Sequence, residues 1–370
     1  MTDPFALGDE LGPVKVTHVQ EPRLGLRGVL VVDNVAAGPA IGGMRMAPDV
    51  SLEECARLAR AMTLKNAAAG LPHGGGKSAL IADPHLAPAQ KAELVRAFAC
   101  ALRGERDYIF GPDMGTDETC MAWVHDEVGR AVGLPRELGG IPLDELGATA
   151  FGLRAAIEVA AKRGRFPLAG ARFVVQGLGS VGAHTARLLA QAGAVLVGAA
   201  DSRGAIANAK GLDVGALLAW KRAGRGVAEF DGGATVTSAE LVAVDCEIWI
   251  PAARPDAITE NDAPRVRARL IAPGANIAVT HSAESALAAR GVICLPDFIV
   301  NAGGVICAAA EYRRASEAEA FREIEARIRA NTETVLASAE AQSVTPRAAA
   351  EALARERVLG AMATRRWSIY

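Results

Sequence analysis

Aromatic side chains are scarce in this chain: Phe, Trp and Tyr together make up 4% of it. Stacking platforms for single-stranded nucleic acid need many more, which excludes that class. An excess of one charge is also missing. Forty basic and 42 acidic side chains leave a formal net charge of −2, so no polyanion-binding surface is expected. The six cysteines, Cys55, Cys100, Cys120, Cys246, Cys294 and Cys307, include no Cys-x-x-Cys pair, and the six histidines are scattered. A disulfide framework or a structural zinc site needs tighter clustering, so no metal is expected and the thiols read as reduced core residues of a cytoplasmic protein. Long apolar runs are absent as well. No stretch of about 18 uncharged apolar residues exists to span a membrane. The opening Met1-Thr2-Asp3-Pro4 lacks the basic-then-apolar pattern of a secretory signal, and none is expected.

What is there fits a two-domain enzyme. The chain has 370 residues, 51% of them hydrophobic, which is ample for two packed cores and excludes global disorder. Residues 24–34 read as a strand and 35–50 as a Gly- and Pro-rich loop. Ser51 to Glu54 forms a capping box that opens a helix running to about Ala69 and stopping at Gly70. A glycine loop over 73–76 precedes Lys77 and a short strand, Ser78–Ala82. Further helices are expected over 88–103 and 117–132, with a strand Tyr108–Phe110 between them. The aperiodic segment Gly133–Gly147 reads as a hinge. From 148 onward helices and strands alternate, the pattern of a doubly wound α/β domain. The expected domains are 1–135 and 148–325, with the helical tail, about 343–370, returning to the first.

Gly177-Leu178-Gly179-Ser180-Val181-Gly182 follows the strand ARFVVQ and opens a helix, the context a dinucleotide fingerprint requires. The helix N-terminus faces the pyrophosphate, and the glycines let the backbone approach it. A second strand ends in Asp201, whose carboxylate suits a ribose hydroxyl and whose charge favours NAD over NADP. Arg203 suits the 2′-phosphate of NADP, so both cofactors stay open. The run GGGKS over 74–78 is not a phosphate loop, because Leu71 stands where that motif needs its first glycine. Lys77 stands between glycines and an apolar run, and Lys65 near the end of an Ala-rich helix. Two cations near one pocket can divide the work, one carrying a proton and one holding a substrate anion. Asp113, in the loop GPDMGT, supplies a carboxylate on backbone shaped for close approach.

Together these blocks carry a resemblance. GPAIGGMR (38–45), MTLKN (62–66), GGGK (74–77), GPDMGT (111–116), ATAFG (148–152), the fingerprint, PGAN (273–276) and NAGGV (301–305) follow one another as in the glutamate/leucine/phenylalanine/valine dehydrogenase superfamily, which this chain resembles from about 25 to 315. The resemblance implies a substrate-binding and oligomerisation domain, a Rossmann-type domain and a homo-oligomer. It implies reversible oxidative deamination: an L-amino acid, NAD(P)+ and water give a 2-oxo acid, ammonium and NAD(P)H. By position, Lys65 resembles the lysine that binds the α-carboxylate, Lys77 the catalytic lysine that activates water, and Asp113 the aspartate that moves protons to and from the amino nitrogen. Thr149 and Asn301 resemble contacts near the nicotinamide, and Asn276 a residue between cofactor and substrate. Gly42 and Gly43 belong to the substrate side.

Where glutamate-specific members place a lysine and a serine for the side-chain carboxylate, this chain has Ile41 and Ala308. Both changes make the pocket apolar, and a carboxylate stranded there is costly. An apolar amino acid such as leucine, valine, isoleucine or phenylalanine is therefore expected. The rivals are a glutamate dehydrogenase with a rewired pocket and a non-catalytic NAD-binding regulatory protein. A hydroxy-acid dehydrogenase lacks its histidine base.

Overall fold

The computed structural model describes residues 5–364. The opening Met1–Pro4 and the last six residues of the expected returning tail lie outside them. The described chain divides into two compact units. The first holds the residues up to Leu143, together with Val305–Ala320 and the stretch from Glu351; the second holds Asp144–Gly304 and Phe321–Ala350.

In the first unit the order is β1 (Lys15–Glu21), β2 (Leu26–Asn34), β3 (Ala40–Met46), α1 (Leu52–Ala68), β4 (Gly75–Leu80), α2 (Pro88–Ala101), β5 (Tyr108–Pro112) and α3 (Glu118–Val128). The sheet order is β1-β2-β4-β3-β5. β3 runs parallel to both β4 and β5, while β1 and β2 are antiparallel to their neighbours. Two sequence readings need correction. The segment expected as a loop over 35–50 contains β3, an interior strand. The glycine run expected as a loop before Lys77 is mostly strand, because Gly75 and Gly76 belong to β4 and Lys77 sits inside it. These glycines are there for contact. A Cβ on Gly42 would lie 1.7 Å from the Gly76 oxygen, and one on Gly75 would lie 1.9 Å from the Thr63 nitrogen of α1.

Side chains alternate across the sheet. Ala40, Met44, Met46, Leu80, Tyr108 and Phe110 pack with Phe98 and Met121 of α2 and α3 in one core. On the other face Val29, Val31 and Ala79 pack against Cys55 and Ala59 of α1. The odd-numbered residues of β3 and β4, including Ile41, Gly43, Arg45 and Lys77, lie on this α1 face. Ser51 accepts the Glu54 amide to cap α1, while the Glu54 carboxylate accepts from Arg45 and does not close the expected capping box.

After a short helix, α4 (Leu143–Leu146), the second unit runs α5 (Ala148–Arg163), β6 (Arg172–Gln176), α6 (Ser180–Gln191), β7 (Val195–Asp201), β8 (Gly204–Ala207), α7 (Val214–Arg222), β9 (Ala234–Val236), α8 (Ser238–Val242), β10 (Ile248–Pro251), β11 (Leu270–Ile271), α9 (His281–Ala289), β12 (Ile293–Cys294) and α10 (Asp297–Val300). Its sheet order is β12-β11-β10-β6-β7-β8-β9, parallel as far as β7 and closed by antiparallel β8 and β9. β6 is central, so the loop after it leaves at the switch in strand order, where such sheets bind ligands. The chain ends in α11 (Gly303–Tyr312), α12 (Glu317–Gln342) and α13 (Pro346–Thr364). Residues 305–320, expected in the Rossmann domain, group with the first unit. Among the described residues no helix is long and apolar enough to cross a membrane.

Candidate active site

In the first unit β4 delivers Lys77 and the loop after β5 delivers Asp113. Lys77 is 5% exposed. Its Nζ lies 2.9 Å from Oδ2 of Asp113. The same oxygen accepts Nε of Arg45 at 2.8 Å, and Arg45 reaches Glu54 at 2.6 Å through Nη1. The Asp113 loop is locked from behind. Its amide donates to Oγ1 of Thr116, and that hydroxyl donates to the Met44 carbonyl at 2.7 Å. Burial pushes the Asp113 carboxyl up, but Lys77 and Arg45 outweigh it and hold the group below its ordinary range. Lys77 thus faces a carboxylate directly.

Gly43 opens the floor between them. A Cβ there would lie 2.7 Å from the Asp113 Cβ and 3.1 Å from Nζ of Lys77. Lys65 sits half-buried in the last turn of α1. Next to it, buried Asn66 donates to the carbonyls of Gly74 at 2.7 Å and Ile41 at 3.3 Å, fixing α1 to the ends of β3 and β4. Ile41 is buried on the α1 face, with Gly75 as its register partner. Ala308 is on α11. One turn further on, Tyr312 meets His73 edge-on at 6.0 Å, two residues before Gly75. That contact brings the Ala308 helix to the end of β4 where Ile41 lies.

In the second unit the fingerprint takes the form its glycines require. Gly177 has φ +102°, and a Cβ on it would lie 2.8 Å from Ala253. A Cβ on Gly182 would lie 1.8 Å from the Gly177 oxygen, whereas one on Gly179 would meet nothing within 4 Å. Gly179 starts α6 with no side chain capping it, so the first amides of the helix face open space. Leu178, Gly179 and Ser180 line a cavity of about 420 Å³ there. Ser180 donates to the Asp144 carbonyl, and Val181 packs near Gly274. These features fit a dinucleotide pyrophosphate. Asp201, at the end of β7, is engaged within the protein. Its carboxylate is paired with Lys221, and it also accepts the amides of Arg203 at 2.8 Å and Val227 at 3.1 Å. Burial pushes this carboxyl up, and the Lys221 contact with the two amides reverses that and lowers it. The charge expected to repel a 2′-phosphate thus has Lys221 as its counterion, and both cofactors stay open.

Asn301 donates to Asn276 at 2.8 Å. Gly303 packs on the start of α5, where a Cβ would lie 2.3 Å from the Ala148 oxygen and 3.0 Å from the Cα of Thr149. Thr149, Asn276 and Asn301 are thereby gathered at one place. Beside Asn276, Ile277 is 58% exposed and holds φ +52°, a left-handed conformation that a β-branched residue rarely adopts. Among the described residues no group of His, Cys, Asp and Glu could hold a metal ion.

Two family models cover nearly the whole chain. Residues 139–366 match Glutamate/Leucine/Phenylalanine/Valine dehydrogenase, and residues 13–130 match the Glu/Leu/Phe/Val dehydrogenase dimerisation domain. The chain belongs to this family. The NADP(+)-dependent glutamate dehydrogenase of Pyrobaculum calidifontis is 37% identical over 365 residues, covering 92% of this chain and 86% of its own. The NAD-specific glutamate dehydrogenase of Staphylococcus aureus is 33% identical, covering 90% and 85%. Among solved structures, a hetero-hexameric glutamate dehydrogenase from Thermus thermophilus in a Leu-bound form superposes with TM-score 0.83 and 32% identity, over 97% of this chain and 91% of that one. The L-tryptophan dehydrogenase of Nostoc punctiforme gives TM-score 0.76 and 25% identity, over 95% and 98%. The protein is an amino-acid dehydrogenase that uses NAD or NADP.

Sequence reasoning missed two parts of this dehydrogenase's site. Arg45 is visible in the GPAIGGMR block, but its hold on Asp113, 68 residues away, is tertiary. Glu311 is buried, and its two oxygens accept the amides of Leu134 at 3.1 Å and Ile141 at 2.9 Å. Burial keeps its carboxyl above the usual range despite those donors. It clamps the loop after β5 and α3 to the helix bearing Ala308.

Proposed function

We propose that this dehydrogenase oxidatively deaminates an apolar L-amino acid to its 2-oxo acid, releasing ammonium, and works as a homo-oligomer. The observation that carries the substrate class is Ile41, apolar and on the same strand face as Gly43, Arg45 and Lys77. Bound NAD(P)+ supplies the hydride acceptor. Lys65 binds the substrate α-carboxylate. Lys77 takes a proton from the water that attacks the imine carbon, and Asp113 exchanges protons with the substrate nitrogen. Arg45 keeps Asp113 ionised and aimed at Lys77. Gly42 and Gly43 leave room for the substrate backbone. Thr149, Asn276 and Asn301 hold the nicotinamide side, while Gly177–Gly182 hold the pyrophosphate.

Each buried methylene of an aliphatic side chain gains about 0.8 kcal/mol against Ile41 and Ala308, so the pocket favours larger apolar substrates over alanine. A panel of L-amino acids assayed with NAD+ and with NADP+ tests this. Leucine, valine or phenylalanine should exceed glutamate in kcat/KM. A chain that favours glutamate over every apolar amino acid overturns the reading.

A second reading is a glutamate dehydrogenase, favoured by the names of the relatives. It needs a cation for the side-chain carboxylate. Arg45 is held by Asp113 and Glu54; the cation this reading would call on is Arg313, five residues after Ala308, whose Nε donates to the Ala309 carbonyl at 3.2 Å and which is close enough to His73 to act on it electrostatically. Under that reading Arg313→Ala raises KM for glutamate; under ours it leaves leucine turnover unchanged.

A further inference from the structure

We propose that Asp297, turned by Arg347, is a positioning residue for the nicotinamide end of the cofactor, acting through Asn276 and Asn301. This rests on reading those two asparagines as contacts on the nicotinamide side.

Arg347, in the first turn of α13, spans two buried carboxylates of its own unit. Its Nε donates to Oε2 of Glu284 on α9 at 2.6 Å, and its Nη2 donates to Oδ1 of Asp297 on α10 at 2.6 Å. Both acidic side chains are only 6% exposed. The guanidinium also lies over the Phe298 ring, 5.7 Å from its centroid. A buried charge cluster is a poor source of stability, because taking the charges out of water costs about what their attraction returns. The other contacts of Asp297 give this one a use. Its second oxygen, Oδ2, accepts the Ile277 amide at 2.7 Å, and that amide belongs to the peptide joining Ile277 to Asn276. Its main-chain carbonyl accepts the Asn301 amide at 2.8 Å. One residue thus holds the backbone beside both asparagines, whose side chains meet at 2.8 Å.

The carboxylate has to face two ways for this. Arg347 takes one oxygen, which sets the plane of the group and leaves the other aimed at Ile277. The peptide it holds would not rest there unaided. Ile277 has φ +52°, and its carbonyl accepts the amide of Asp256, itself at φ +51°, at 2.9 Å. Left-handed conformations of such residues persist only where their surroundings over-determine them. Without the Asp297 oxygen, the Ile277 peptide loses one of its two fixed ends. Asn276, one residue before it, then loses its alignment with Asn301.

The test separates the nicotinamide from the rest of the dinucleotide. NADH and ADP-ribose, which lacks only the nicotinamide, are titrated calorimetrically into the full-length protein and its variants. NADPH and 2′-phospho-ADP-ribose take their place if the chain binds only the phosphorylated pair. Folding is checked by circular dichroism. The unmodified protein should bind NADH about fivefold or more tighter than ADP-ribose, the gain from one or two hydrogen bonds. In Asp297→Asn one oxygen must serve two donors, and the charged Arg347 takes it. The preference should then fall below about twofold while ADP-ribose affinity stays within about twofold. Asp297→Ala should do the same, and whichever of the two folds decides the question. Arg347→Met/Glu284→Gln, which removes one charge of each sign, should lose part of the preference. Glu284→Gln alone disturbs the same cluster, keeps an acceptor for Arg347 and should retain it. A preference that survives in the folded Asp297 variants but not in Asn276→Ala overturns the proposal. So does an equal loss of both ligands, which would give Asp297 a merely structural role. An unchanged preference in Arg347→Met/Glu284→Gln overturns the part given to Arg347. A preference that survives Asn276→Ala, or is missing from the unmodified protein, overturns the nicotinamide reading beneath. Failure of every dinucleotide to bind overturns the fingerprint reading.

Discussion

Substituting Gly43 by alanine tests the catalytic geometry without removing any functional group. The added methyl would sit 2.7 Å from the Asp113 Cβ, 3.0 Å from the Pro112 carbonyl oxygen and 3.1 Å from Nζ of Lys77. Ordinary carbon–carbon contact lies at about 3.5–4.0 Å, so Asp113 must retreat by about 1 Å. Its backbone is held by Thr116, and Thr116 by the Met44 carbonyl, so the displacement falls on the 2.9 Å contact between Lys77 and Asp113. A misplacement of about 1 Å in a reacting constellation costs on the order of 10²-fold in rate, or about 2.7 kcal/mol of barrier. Overpacking adds a stability loss of about 1–3 kcal/mol. The assay is kcat at saturating amino acid, beside NADH binding by fluorescence and a thermal melt. The expected variant is folded and binds NADH normally, because Gly43 belongs to the first unit and the fingerprint to the second. A kcat within about threefold of the unmodified enzyme would refute the reasoning, since it would mean that the Lys77–Asp113 spacing does not matter to turnover.

Lys77→Ala should lower kcat by about 10²- to 10⁴-fold and leave NADH binding intact; near-normal turnover would remove Lys77 from the chemistry. Ile41→Lys with Ala308→Ser should move kcat/KM from leucine toward glutamate, measured as the ratio of the two. Ile277→Gly should relieve left-handed strain of about 1 kcal/mol or more and raise the melting temperature, whereas a lower one would mean that the exposed isoleucine packs usefully. The folded carboxyls of Asp113 and Asp201 both lie below their ordinary value, so the stability they contribute is present above about pH 4 and lost as pH falls through their folded values. Chemical denaturation between neutral and acid pH should show a shallower acid decline in Asp201→Asn than in the unmodified protein.

Much of this was legible in the chain because the signals were local. The Ser51 N-cap, the strand–glycine–helix run around Gly177 and the strand ending in Asp201 lie within short windows, and each stands where its pattern places it. The losses have one cause. Glycine normally marks a turn, so 35–50 and 73–76 read as loops, yet Gly42, Gly75 and Gly76 are strand residues chosen for their missing side chains. What demands them is another element: α1 above, or the neighbouring strand. The same holds for charge. Arg45 with Asp113 and Lys221 with Asp201 are partners brought together by folding, and a carboxylate's effect on a phosphate cannot be judged before its partner is known. The helix carrying Ala308 joins the first unit through Glu311, whose acceptance of two distant amides leaves no local trace.

The bare glycine faces of β3 and β4 also bear on how such an enzyme can change. At Gly42, Gly43 and Gly75 the smallest possible mutation already collides with main chain or with the Lys77–Asp113 pair, so drift through these positions is closed. Ile41 and Ala308 are different under the proposed function, which sets their side chains against the substrate. Novelty in substrate range therefore has a narrow gate. A lineage built on this scaffold can explore new amino acids by exchanging two side chains, while the strands that position the reaction stay fixed. Directed evolution aimed at those two sites should find altered specificities at far higher frequency than random mutagenesis of the sheet.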